Sequence, residues 1–224
     1  MGKRILVFLI FFTVVMQAQD VIKKTVGDFN EVKVFDKIEV ILRKSSENKV
    51  EISGMSRDEV DIVNNDNVLK VKMSLDNLWD DDNTVVTVYY TDISKIDVNE
   101  GAKIIAKDVV TSDKLDLRAQ EGGDIIAKIE TTKLAAKAVT GGKLTLDGKA
   151  IEQEVTVTAG GQYLAEDLKT KSTMVKITAG GRANISASEY VKANATAGGT
   201  IKIYGHPKEI DTKKVFGGKI IEVN

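Results

Sequence analysis

An all-β fold, a right-handed parallel β-helix-like solenoid with about 19 residues per coil, is what this sequence predicts. Three observations carry the prediction: Gly-Gly recurs at a near-constant interval, the residues between the pairs alternate in polarity, and the chain builds its interior from branched aliphatic residues and Ala. Aromatic residues make up 5% and there is one Pro. Val, Ile and Leu must therefore carry the core, and the branched residues favour the pleated surface of a strand.

The glycine pairs are Gly122–Gly123, Gly141–Gly142, Gly160–Gly161, Gly180–Gly181, Gly198–Gly199 and Gly217–Gly218, with spacings of 19, 19, 20, 18 and 19. Gly101, in "NEGAKI", stands 21 residues before the first and reads as a single-glycine version. A fixed period of this size marks a repeat architecture. Residues five and three before each pair (Leu117/Ala119, Ala136/Ala138, Val155/Val157, Val175/Ile177, Ala193/Ala195) are small or apolar. So are most of those two and four after it (Ile125/Ala127, Leu144/Leu146, Tyr163/Ala165, Ala183/Ile185, Ile201/Ile203). The residues between are mostly polar. This period of two means strands with one buried face. Each period then holds two strands that turn a corner at Gly-Gly, followed by a second turn.

A four-stranded propeller blade needs about twice this length, and a leucine-rich repeat carries an Asn-centred consensus absent here. Coils stacking like strand on like strand, about 4.8 Å apart, satisfy the pattern. Glycine suits such a corner because it adopts positive φ at little cost and offers no side chain to the coil above. Ala119, Ala138, Ala159, Ala179, Ala195 and Ala197 are expected to fill a narrow interior. The alternative, a glycine loop holding phosphate or calcium, needs a Lys-Ser/Thr or a regular Asp after the glycines. Asp124, Lys143, Gln162, Arg182, Thr200 and Lys219 follow instead, with no repeated ligand type.

The domain organisation expected is a leader over 1–19 and one β domain over 20–224, with irregular β coils over 20–100 and regular repeats over 101–224. The leader shows Lys3 and Arg4 before an apolar run of 12 residues, Ile5 to Met16, with cleavage expected near Ala18 or Gln19. That run is too short to span a bilayer, which takes about 20 residues, and has the build of a secretory signal. Its Met16 departs from the small residue usual at that position; a retained membrane anchor is the alternative. Within 20–100, "NEVKVFDKIEVILRKS", "NKVEISG", "NVLKVKMS" and "TVVTVYYTD" read as strands that cap the N-terminal end, and Ser74 to Asn83 as a loop. The terminal "GGKIIEVN" coil has no evident cap, and pairing in a homo-oligomer or cover by the chain's own tail is expected there.

Without the leader the chain carries 30 Lys+Arg against 33 Asp+Glu, a net charge of −3. Nucleic acid is not an expected partner, since neutralising phosphates takes a basic surface. Zero Cys excludes disulfides and thiolate metal sites. No cofactor and no metal are expected.

The string "VFDKIEV…VEISG…NVLKVKM…VVTVYY", the glycine-rich coils and the closing "IKIYGHPKEIDTKKVFGGKI" resemble the auto-transporter adhesin, head GIN domain family. The resemblance covers nearly all of the chain after the leader, most specifically at "IYGHP", although its corners more often read Ser-Gly-x-Gly than the Ala-Gly-Gly and Thr-Gly-Gly found here. It implies an all-β, β-helix-like protein exported to the cell envelope of Bacteroidetes, with no catalytic residues to carry over.

Four candidate sites stand out. His206, the sole His, sits in a turn and cannot form a triad. Asp80, Asp81 and Asp82 after Trp79 offer oxygen ligands for calcium but read better as a solvated charge run. Thr158, Thr178 and Thr196 occupy one repeat position, and Gln162, Arg182 and Thr200 follow the corners. Together these six read as a polar surface ladder for binding. Asp116, Asp124, Glu130, Asp147 and Glu166 fall at different repeat positions, so neither a lyase calcium site nor a facing carboxylate pair is indicated. The expected function is a non-catalytic, exported envelope protein that presents a repetitive β surface for adhesion or glycan binding. The alternatives are a polysaccharide lyase or hydrolase of pectin-lyase-like architecture and a periplasmic scaffold for another envelope protein.

Overall fold

In the computed structural model, which describes residues 21–74 and 84–223, the diglycines stand in a column at one edge of a stack of β coils. The expected leader and the Asp80–Asp82 run lie outside the described residues. The first half supplies β1 (Ile22–Thr25), β2 (Glu31–Val34), β3 (Glu39–Lys44), β4 (Lys49–Ser53), β5 (Val60–Asn65), β6 (Val68–Met73), β7 (Val85–Tyr90), β8 (Lys95–Val98) and β9 (Lys103–Ala106). The second half supplies longer strands: β10 (Val110–Gln120), β11 (Asp124–Val139), β12 (Lys143–Thr158), β13 (Gln162–Thr178) and β14 (Arg182–Thr196). It ends in β15 (Thr200–Tyr204), β16 (Glu209–Val215) and β17 (Lys219–Glu222). From residue 95 to 222 these make a solenoid of about seven turns with about 19 residues per coil.

Stacking is parallel and in register from coil to coil. Leu117, Ala136, Val155, Val175 and Ala193 follow one another in one buried column, and Ile125, Leu144, Tyr163, Ala183 and Ile201 in another. The positions five and three before each pair and two and four after it, from Leu117 to Ile203, expected to point inward, are all buried.

The corners explain why two glycines are written. Thr158, Ala159, Gly160 and Gly161 form a type I′ turn, with φ of 48° at Ala159 and 77° at Gly160 and the Gly161 N–H donating to the Thr158 carbonyl at 3.1 Å. The first glycine serves this left-handed conformation. The second serves the stack: a Cβ on Gly161 would lie 2.2 Å from the carbonyl oxygen of Ala138 in the coil below. Backbone N–H groups of the turns donate to the next corner, as from Ala159 to Thr178 and from Ala179 to Thr196, each at 3.2 Å.

This geometry corrects one expectation. Ala159, Ala179 and Ala197 do not line the interior; they are exposed turn tips with φ of 48°, 59° and 55°. The I′ turn inserts two left-handed residues, and the alternation that buries Val157 ends at Thr158. The second corner also differs from the expected turn. There β11, β12 and β13 bend without interruption, by placing two consecutive residues outward (Thr132–Lys133, Ile151–Glu152, Lys171–Ser172) between inward ones.

In the first half, chain order is not stack order. Strand β2 pairs in parallel with both β6 and β8, and β3 with both β7 and β9, so the β2–β3 coil lies between the other two. Its corner at Asp36–Lys37, both at φ 60°, is made without glycine. Antiparallel strands finish this end: β5 on β6, and β4 on β7 with β1 beyond it. A strand running against the coil direction ends the parallel series, which is how the N-terminal edge is capped. At the other end, Thr212, Lys214 and Glu222 occupy inward positions in register with Ala193, Ala195 and Ile203 of the coil below, and all three are exposed.

Candidate functional site

Each strand of β10 to β14 turns alternate side chains to solvent, and register then converts repeat positions into columns. Thr158, Thr178 and Thr196 form one such column, between Val139 and Val215. All three are half-buried. Gln162, Arg182 and Thr200 form a second, on the far side of the corner. The second column and Gly160 and Gly181 line a depression of about 340 Å³. The three Thr of the first column are not part of that lining. The six predicted residues are thus two separate columns on the strand runs that meet at the corner.

Sequence reading missed a third column. Two residues before the Thr column, on the same face, stand Arg118, Lys137, Thr156, Lys176, Asn194 and Lys213 in register. Side chains two apart on a strand lie about 6.8 Å apart on one face. The signal was present, since each of these residues precedes the first glycine of its corner by four positions. Arg118 is engaged by Asp116 through two hydrogen bonds of 3.1 and 2.8 Å. Lys137, Lys176 and Lys213 are exposed and make no ion pair among the described residues.

A groove of about 640 Å³ crosses the coils beside the second corner. It collects Asp116, Glu152 and Glu154 with Lys95, Lys114 and Lys133 over Leu115, Leu134 and Ala135. These acids are spread along the stack: Asp116 is held by Arg118, and Glu152 lies 3.7 Å from Lys133 in the adjacent coil. Among the described residues no three His, Cys, Asp or Glu side chains are placed to hold a metal ion.

At the corner tips of the first coils, Asp36 hydrogen-bonds Glu100 and raises its carboxyl pKa, with desolvation and the nearby Asp36 and Glu121 charges adding to the shift. His206 is exposed, at φ 53° in the turn after β15. No described helix is long and apolar enough to cross a membrane.

Known structures share this architecture. An adhesin-like protein from Bacteroides fragilis, described as a putative adhesin, superposes with a TM-score of 0.82 at 18% identity, covering 92% of this chain and 98% of its own. A putative adhesin from Parabacteroides distasonis gives 0.73 at 21% identity, covering 92% and 97%. A putative lipid binding protein from the same species gives 0.70 at 13%, covering 93% and 98%. At these identities the likeness is one of fold. No curated protein matches the chain. The family model described as "Putative auto-transporter adhesin, head GIN domain" matches residues 28–207, from the β2 approach to the turn after β15, and the chain belongs to that family.

Proposed function

We propose that this chain is an exported, non-catalytic protein of the cell envelope that uses the polar columns beside its diglycine corners for adhesion, with a glycan as the ligand. Thr158, Thr178 and Thr196 supply hydroxyls at the spacing of the coils, and Gln162, Arg182 and Thr200 supply a second polar column past the corner. The observation that carries the reading is the rigid, in-register polar ladder, pre-set by strands that are hydrogen-bonded on both sides. A ladder of this kind loses little conformational entropy on binding an extended ligand. The adhesin descriptions of the family and of its structural relatives support the adhesive part of the reading. The basic start and apolar run before Ala18 support export. The name of one relative points to lipid, but the two polar columns suit a hydroxyl-rich chain better than an acyl tail.

A glycan array probed with residues 20–224 tests the proposal. The triple variant Thr158→Val, Thr178→Val, Thr196→Val keeps side-chain shape and strand propensity and removes the hydroxyls. Binding by the parent and its loss in the variant is the expected result. Equal binding by both would remove the Thr column from the function.

A further inference from the structure

We infer that the ligand of this face is an anionic linear polysaccharide carrying one acidic group per disaccharide, read by Lys137, Lys176 and Lys213; the inference rests on the glycan reading above.

Several lysines of the solenoid face an acid in the adjoining coil. Glu39 and Lys103 are register partners 3.8 Å apart, Asp124 and Lys143 3.3 Å, Lys133 and Glu152 3.7 Å, and Lys192 and Asp211 3.8 Å. An in-register ladder gains from this alternation because like charges directly opposite one another are unfavourable. The column from Lys137 to Lys213 contains no such acid. Its alternate positions hold Thr156 and Asn194, where acids would have completed the ladder. Avoidance of like charges is not enforced on this surface, where Arg118 faces Lys137 and Lys149 faces Lys169. It therefore does not explain why neutral hydrogen-bonding residues stand in the gaps.

Spacing supplies the second argument. Adjacent coils are about 4.8 Å apart, so lysines in every second coil repeat at about 9.6 Å. That is close to the length of one disaccharide in an extended polysaccharide. A chain laid along the stack would bring each acidic group to a Lys and set the intervening sugar over Thr156 or Asn194. The Thr158, Thr178 and Thr196 hydroxyls would lie alongside. No acid stands in either of these two columns from Lys137 to Val215. One column further out stand Glu154 and Asp211, the latter engaged by Lys192. Exposed lysines of this kind act as screened point charges, so the contribution must fall with salt.

The test uses hyaluronan decasaccharide, which alternates uronate and N-acetylhexosamine, against a chitin oligosaccharide as the neutral chain, oligogalacturonate as the chain with an acid on every ring, and phosphatidylserine vesicles. Calorimetry at two salt concentrations reads the affinity. Hyaluronan should bind best, and more weakly at high salt. Lys137→Gln, Lys176→Gln, Lys213→Gln together should weaken it by about tenfold or more. Replacing Lys24, Lys128 and Lys169 with Gln instead, the same charge change elsewhere on the surface, should leave it unaltered. Salt-independent binding of neutral and acidic chains alike, unchanged in the triple Lys variant yet lost in the triple Thr→Val variant, overturns this inference and leaves the glycan reading standing. Lys-dependent binding to the vesicles alone overturns the polysaccharide assignment. Binding to none of these three glycans overturns this inference, and the glycan reading falls with it only where the array is blank as well.

Discussion

The hydroxyl of Tyr163 donates to Oε1 of Gln153 at 2.6 Å in the middle of the solenoid core. Gln153 passes the direction on, its Nε2 donating to Thr173 Oγ1 at 2.9 Å, and the hydroxyls of Thr173 and Thr170 lie 2.9 Å apart. The run ends where Thr170 Oγ1 donates to the Ser186 carbonyl at 2.7 Å. Every member is buried, so the network ties β12, β13 and β14 together where the second corner bends.

Two tyrosines therefore predict opposite outcomes. Tyr163→Phe leaves Gln153 Oε1 without its donor and is expected to cost about 1–3 kcal/mol. The Tyr90 hydroxyl is also buried, but it has no hydrogen-bond partner among the described residues. Tyr90→Phe is thus expected to be neutral or stabilising. Burial, with the charges of Asp108 and Asp92, pushes Tyr90 up to about 12. The native state holds this proton more tightly than the unfolded chain, whose Tyr titrates near 10. The contribution is present below about pH 10 and is lost as pH rises toward 12. Urea titrations of parent and variants at pH 7 and at pH 11 check both points: the Tyr90→Phe protein should lose less on going alkaline.

The two glycines of one corner should differ sharply under the same substitution. Gly160 has φ 77° and nothing within 4 Å of an added Cβ, so Gly160→Ala carries only the left-handed penalty of about 1–2 kcal/mol. Gly161→Ala would press a methyl 2.2 Å from the Ala138 oxygen and 2.5 Å from its carbonyl carbon. Backbone cannot yield as a side-chain tip can, and about 3 kcal/mol or more is expected. Comparable melting curves for the two variants would refute the division of labour assigned to the pair.

The repeat made the solenoid legible because each period restates the same two constraints, a buried face and a corner. The Leu117, Val155 and Val175 column followed from alternation alone. What failed to follow were features that break or outlast the period. Ala159 reads as a small core residue, yet an I′ turn removes it from the strand pattern. Gly148 carries no partner glycine, but its φ of 111° and the Ile129 oxygen 2.1 Å from an added Cβ make it as necessary as a corner glycine. Gln153 is polar yet buried; the bend at Ile151–Glu152 turns it in, and Tyr163 and Thr173 satisfy its amide there. The insertion of the β2–β3 coil between two later ones is a long-range pairing with no local signature. For the candidate face, the Thr column was legible and the Lys column was overlooked, because the alternation of Lys with Thr and Asn hides at any single position.

Glu100 offers a pH test at the opposite end of the corner column. It stands at a turn tip of φ 54°, and hydrogen bonding to Asp36, reinforced by desolvation and by the charges of Asp36 and Glu121, raises its carboxyl pKa. An acid whose folded value lies above its unfolded one is an ionised liability: stability declines as pH rises from the unfolded value of about 4.3 through the raised folded value. Glu100→Gln should therefore raise Tm at pH 7, modestly because the group is exposed, and the gain should shrink below about pH 4 and at high salt. A gain that persists at low pH would point to a cause other than charge.

The last coil predicts where the stack stops. Thr212, Lys214 and Glu222 face inward at positions that hold Ala193, Ala195 and Ile203 one coil below. Adding another coil, from a second copy or from any extended segment, would bury an ammonium and a carboxylate under it. Burying an unpaired charge is strongly unfavourable, and inward-pointing charges are a known device for keeping an open sheet edge unpaired. Ile210 and Ile220 still pack against the core from this coil, so the edge is ordered but not extendable. The sequence had left pairing in an oligomer open at this end; the inward charges lead us to expect a monomer with a free terminal coil. Thr212→Val, Lys214→Val and Glu222→Val together should convert the edge into an apolar strand pair and produce concentration-dependent association, read by light scattering from residues 20–224. A parent chain that already dimerises, with the dimer abolished by a Pro at Thr212, would show that the end is an interface and the charges are paired across it.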